Sequence, residues 1–226
     1  MDHVNSRRDN GNALYLPHLL RAFSGSGRKR YIVGWIIHPA DMNTPKIAII
    51  AILTALSIGT NYAMISFYNV KFMDLIVFVA GFCFGPLVGA FVGILSWSVY
   101  GVINPMGFSL HIWLATMFAE SVYGIIGGLA RKPLTGSFAG AVREQLVLCA
   151  FFGLLGVFMT LFYDVVTNVV FGYVSNSSIL VTIILGVPFS MIHVISNAFF
   201  FGVGCFPAIN AVARVTGGTV YGIPKK

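Results

Sequence analysis

The chain has 226 residues, of which 57% are hydrophobic and only 9% charged, with 14 Lys and Arg against 7 Asp and Glu. Soluble domains carry roughly 25% charged residues, so this composition excludes an ordinary water-soluble domain and points to an integral membrane protein. The net charge of +7 does not indicate nucleic-acid binding, because the basic residues flank apolar runs instead of forming one basic face with interleaved aromatics.

Residues 1–45 form a polar, basic segment. Gly25-Ser26-Gly27 followed by Arg28-Lys29-Arg30 reads as a flexible charged connector, and residues 13–23 read either as a helix on the membrane surface or as a disordered tail. The first dozen residues are polar and no short apolar core follows, so the first span is expected to act as its own insertion signal.

That span covers about residues 46–66. A second apolar run, 74–84, is too short to cross a bilayer upright, and Gly85-Pro86 breaks it sharply. The third span follows to about 102, carrying Gly85, Gly89, Gly93 and Trp97 at four-residue spacing, a smooth face that permits close helix contact. Pro105 and Gly107 turn the chain into a fourth span, 111–130; the polar loop 131–143 leads to spans five and six at 144–173 and 178–206. The expectation is an all-α integral membrane protein: a six-transmembrane-helix bundle over 46–206, with a tail at 207–226.

Seven Lys and Arg precede or open the first span, three fall in 131–143 and three at the carboxy-terminal end, whereas Lys71 alone lands on the opposite side. The positive-inside rule therefore places both termini in the cytoplasm, and Asn69, Lys71, Asp74, Asn104 and Asn176 at or near the outer mouth. Cys83, Cys149 and Cys205 show neither CxxC nor Cys/His ligand spacing and read as small buried hydrophobes; no metal site or cofactor is expected.

Glu120, Asp164 and His193 interrupt apolar runs, and an intramembrane ionisable residue costs roughly 2.5 to 3.5 kcal/mol on insertion scales, so each calls for a ligand, an ion or a partner helix. With 1.5 Å of rise per residue, Glu120 lies roughly 13 Å below the outer start of span four and Asp164 a similar distance below the outer end of span five. Thr160, Asp164 and Asn168 line one face of span five, as Thr116, Glu120 and Tyr123 do on span four, which suggests a cavity opening outward. His193 and Asn197, an i, i+4 pair with Ser190 on the same side, read more as a tie between helices than as ligand contacts. Glu120 is equally compatible with a protonated carboxyl bonded to a neighbouring helix. On the first span Ala51, Ala55, Gly59 and Ala63 fall on every fourth residue, a stripe suited either to internal packing or to an external partner.

The run from Ala51 to Ala55, then Asn69-Val-Lys-Phe-Met-Asp74 before a short helix, then Gly85-Pro-Leu-Val-Gly89-Ala-Phe-Val-Gly93, resembles the substrate-binding S component of energy-coupling factor transporters. The likeness in layout covers about residues 46–206. It implies a plasma-membrane subunit that binds a vitamin or other micronutrient from outside and docks onto a membrane T subunit associated with two ATPases. It gives Ala51 and Ala55, as an AxxxA face, the docking role. It places substrate beneath the loop after span one and among spans four to six, which by position picks out Asn69, Lys71, Thr116, Glu120, Tyr123, Asp164 and Asn168.

The chain has no GxxxxGK[ST] loop, so ATP hydrolysis must come from another polypeptide. It also lacks HExxH and a GxSG serine turn within the spans, which argues against an intramembrane hydrolase. A stand-alone proton- or ion-coupled carrier using Glu120, Asp164 and His193 is the remaining alternative, weakened by the lack of an obvious inverted repeat.

Overall fold

A computed structural model describes residues 44–105, 107–134, 138 and 141–216. The connector at Gly25–Arg30, the surface segment at 13–23 and residues 217–226 of the tail lie outside the described residues.

All regular structure among the described residues is helical: α1 (Thr44–Ala63), α2 (Met73–Phe84), α3 (Pro86–Ile103), α4 (Leu110–Leu134), α5 (Val142–Val174), α6 (Ile179–Phe199) and α7 (Cys205–Val215). A five-residue π-helical turn, Phe200–Gly204, joins α6 to α7, so that Ile179–Val215 forms one rod. Five spans are long and apolar enough to cross a membrane, and α2 is the shorter sixth member. The sixth span thus stays helical to Val215 instead of ending at 206, because Cys205, Ile209 and Ala213 turn one buried face toward the bundle and α7 packs on α2.

Twelve residues make α2 about 18 Å long, against a hydrocarbon core of about 30 Å. It need not match the bilayer, because it barely meets lipid. Every residue from Met73 to Cys83 is buried, and α1, α3, α4 and α7 all pack on it. A helix apolar on all sides belongs at the centre of a bundle or in lipid, and α2 is too short for the second. Gly85, with φ of 106°, ends it in a conformation that a side chain would strain, and Pro86 opens α3 at the position where its missing N–H costs nothing.

The glycine face of α3 meets α4 and α2 backbone to backbone. A Cβ on Gly89 would stand 2.6 Å from the Gly81 Cα and 2.7 Å from the Gly124 Cα, and one on Gly93 would stand 2.9 Å from the Glu120 carbonyl oxygen. Such contact is how helices associate without a hydrophobic drive between them. It also brings the Glu120 turn of α4 hard against α3.

Polarity is inverted relative to a soluble protein. Ile52, Phe158 and Leu185 face outward, while Asp74, Glu120, His193 and Asn197 are fully buried. This distribution suits hydrocarbon surroundings and places the polar side chains where only other protein groups, or a ligand, can satisfy them.

Candidate functional site

Asp74 enters the core in the first turn of α2, where unpaired N–H groups and the helix dipole favour a carboxylate. The His193 ring of α6 lies between two acids: Nε2 is 2.7 Å from Asp74 Oδ2 and Nδ1 is 2.9 Å from Asp164 Oδ1. One imidazole therefore joins α2, α5 and α6. Both nitrogens face carboxylate oxygens, so each bond needs a proton. The group is either an imidazolium between two carboxylates or a neutral imidazole with one carboxylic acid, and in both forms it carries a single net negative charge.

Asn197, one turn beyond His193, donates from Nδ2 to Asp74 Oδ2 at 2.6 Å and to Thr160 Oγ1 at 2.8 Å. The Thr160 hydroxyl gives its own proton to the Gly156 carbonyl, which leaves it an acceptor for both Asn197 and the Tyr123 hydroxyl. These directions fix the amide: its nitrogen, not its oxygen, must face the two acceptors. The Tyr123–Thr160 bond sets α4 and α5 in antiparallel register, so that Glu120 and Asp164 come to the same region, as their matched depths suggest.

Glu120 Oε2 accepts a 3.1 Å bond from the Trp97 indole N–H. The Lys71 ammonium, on the α1–α2 connection, lies 5.3 Å from the Trp97 ring centre and 4.7 Å from that of Tyr163. The two rings are themselves 6.2 Å apart, and Tyr163 makes an edge contact with His193. Carboxylates, imidazole, amide and aromatics thus form one connected cluster under the α1–α2 connection. Asp164 Oδ2 and Asn197 Oδ1 are buried in it without a hydrogen bond to the described residues, while the carboxyls of Glu120 and Asp74 meet at hydrogen-bond distance. Among the described residues no three His, Cys, Asp or Glu side chains are disposed to hold a metal ion.

Of the residues singled out from sequence, Lys71, Glu120, Tyr123 and Asp164 meet here. Asn69 roofs the cluster: with φ of 52°, it donates from Nδ2 to the Phe189 carbonyl of α6 at 2.9 Å, while Tyr68 makes an edge contact with the Phe189 ring. Thr116 is buried but returns its hydroxyl to the Trp113 carbonyl. Asn168 lies against Gly186 of α6, a turn away from Asp164 and outside the hydrogen-bonded cluster. Asp74, expected near the outer mouth, is fully buried in the first turn of α2, and Trp97 and Tyr163 join it. The signal for Asp74 was present: a run too short to span belongs at the bundle centre, and an acid in its first turn goes there with it.

On α1, Ile50, Thr54, Ser57 and Asn61 face the bundle. Ala51, Ala55, Gly59 and Ala63 are all exposed, and nothing lies within 4 Å of a Cβ built on Gly59. The small-residue stripe therefore does not pack against the other described residues.

Fold and cluster together define a multi-pass membrane protein with a polar, aromatic-lined interior site. The model of the family "ECF transporter, substrate-specific component" matches residues 45–223, and the chain belongs to that family. No individual curated protein and no solved structure matches it. Members of the family are substrate-binding components of transporters rather than enzymes.

Proposed function

We propose that this protein is the plasma-membrane substrate-binding subunit for uptake of a vitamin or other micronutrient, energised by a separate T subunit and two ATPases. The observation that carries the proposal is the buried cluster around Asp74, Glu120, Asp164 and His193, beneath a connection pinned to α6 and set in a chain of this family. Charge supports the orientation: Lys46, Arg131, Lys132, Arg143 and Arg214 lie at helix ends that this topology gathers on one side, with Lys71 on the other, so the cluster opens outward and both termini are cytoplasmic.

In this reading Asn69, Lys71, Glu120, Tyr123 and Asp164 surround the substrate with Asp74, Trp97, Tyr163 and Asn197, while Thr116 and Asn168 flank them. The outward stripe at Ala51 and Ala55 is the docking face for the T subunit, since small residues let a partner helix approach closely.

The test is uptake of the small molecule retained on purification from rich medium, identified by mass spectrometry, in cells with and without the T subunit and ATPases. Uptake that requires the partners, with binding that does not, supports the proposal. Transport by the chain alone in liposomes, driven by a proton gradient, replaces it with a proton-coupled carrier.

A further inference from the structure

Resting on the substrate-binding reading above, we infer that the site takes a flat organic cation bearing N–H donors, and that the Lys71 ammonium is its tethered stand-in, displaced when the ligand binds. Three features of the cluster converge on this assignment.

The first is charge. The Asp74–His193–Asp164 group keeps a net negative charge in either proton arrangement, and the Glu120 carboxyl adjoins it, interacting electrostatically with Asp74 and Lys71. The nearby countercharge is the half-buried Lys71 side chain on the α1–α2 connection.

The second is unmet hydrogen bonding. Asp164 Oδ2 and Asn197 Oδ1 are acceptors, each on a side chain that is at least nine-tenths buried, and neither takes a bond from the described residues; the free oxygens of Asp74 and Glu120 lie beside them, their carboxyls in hydrogen-bond contact with each other. A buried acceptor without a donor is costly, so the complementary ligand brings donors. An amidinium or aminated heterocycle can meet a carboxylate with two parallel N–H bonds.

The third is how Lys71 is held. Its nitrogen lies to one side of the Trp97 and Tyr163 pair, 5.3 and 4.7 Å from ring centres that are 6.2 Å apart, and it makes no direct ion pair among the described residues. Lys71 is half-buried and comes from the connection that roofs the site. Cation–π contact and the Coulomb attraction of Asp74 and Glu120 hold the ammonium without a direct bond to a carboxylate, which marks the face of this aromatic pair as a place for a cation and leaves the carboxylate oxygens for the incoming group. An anionic substrate would instead have to lie against three acidic side chains.

The test uses the full chain in lipid nanodiscs and calorimetric titration with benzamidinium, benzoate and benzyl alcohol, three probes of similar shape and different charge. Benzamidinium should bind saturably to the parent, and Lys71→Met should tighten it about tenfold, the factor expected if the lysine occupies the cation position about nine-tenths of the time. Benzoate and benzyl alcohol should not bind either form. Lys71→Gln, with size-exclusion behaviour checked, serves as a second uncharged variant. Weaker benzamidinium binding in both variants, benzoate binding that depends on Lys71, or no saturable benzamidinium binding in any form would each overturn the inference. Partner-dependent uptake is read separately, so cation selectivity can fail while the transport reading stands, and the reverse.

Discussion

Asp74 Oδ2 and His193 Nε2, 119 residues apart in sequence, stand 2.7 Å apart in a fully buried contact. The short central helix is thereby fixed to α6, and Asp164 fixes the same ring to α5. Replacing His193 with Ala leaves two buried acids facing each other with a donor lost from each. Breaking a buried pair in this way costs about 3–5 kcal/mol. Thermal unfolding in detergent should show a large loss for His193→Ala. An unchanged midpoint would mean that the ring does not tie these helices.

Trp97 and Glu120 offer a finer comparison. Trp97→Phe keeps a ring but removes the N–H that bonds Glu120 Oε2. Losing a donor to a buried carboxyl costs about 1–3 kcal/mol. Glu120→Gln retains an oxygen for the indole and should cost less, whereas Glu120→Ala removes the acceptor, and its double variant with Trp97→Phe should cost less than the sum of those two single variants. A double-mutant cycle on chemical unfolding measures that coupling; strict additivity would show the bond contributes nothing.

How far the fold could be read from sequence depends on what each element faces. Helices against lipid are legible from apolar length alone, and α1, α3, α4, α5 and α6 begin or end within a few residues of expectation. The small stripe on α1 and the glycines of α3 were equally visible, but their partners were not: Gly89 and Gly93 meet neighbours within the chain, while Ala51, Ala55 and Gly59 meet none among the described residues. Spacing shows that a backbone can be approached, not which backbone approaches it. In the cluster, Glu120 and Asp164 could be matched by helix rise, because each sits well inside one long span. Asp74 could not, because its depth depends on how a helix too short to span is suspended inside the bundle. His193 and Asn197 do tie helices together, and the groups they tie belong to the same polar cluster.

The glycine contacts make a stringent prediction about packing. A methyl group at Gly89 would press on the backbones of both α2 and α4, which have no flexible side chain to yield. Overpacking of a filled core costs typically about 1–3 kcal/mol, and rigid backbone neighbours place this site at the upper end. Gly89→Ala should lower the yield of folded protein and its unfolding temperature. Gly59→Ala, on the exposed face of α1, should leave both unchanged or slightly raised, since alanine favours the helix by about 1 kcal/mol. Equal behaviour of the two variants would contradict the close approach of α3 to its neighbours.

The same exposed face carries the docking proposal. Ala51→Leu with Ala55→Leu adds bulk where no described residue packs, so the fold and benzamidinium binding should persist. Co-purification with the T subunit and ATPases should be lost, with partner-dependent uptake falling in parallel. If the complex survives these substitutions, the T subunit docks elsewhere.

Asn69 is placed to hold the roof of the site through two separable properties. Its φ of 52° lies in the left-handed region, which asparagine adopts more readily than most residues, and its side chain reaches the Phe189 carbonyl across to α6. Asn69→Gly preserves the backbone freedom and removes the bond; Asn69→Ala removes the bond and strains the turn as well. If the side-chain bond holds the connection closed, both variants should speed release of a bound cation by about fivefold or more, the effect of losing about 1 kcal/mol from the closed state. Alanine should be the more destabilised of the two by a further 1 kcal/mol or so, from its strained backbone. Stopped-flow release of benzamidinium, with unfolding measured alongside, distinguishes the contributions. Release at the parental rate from the glycine variant would show that the Phe189 contact does not restrain the roof, and would leave the Tyr68 edge contact as its anchor.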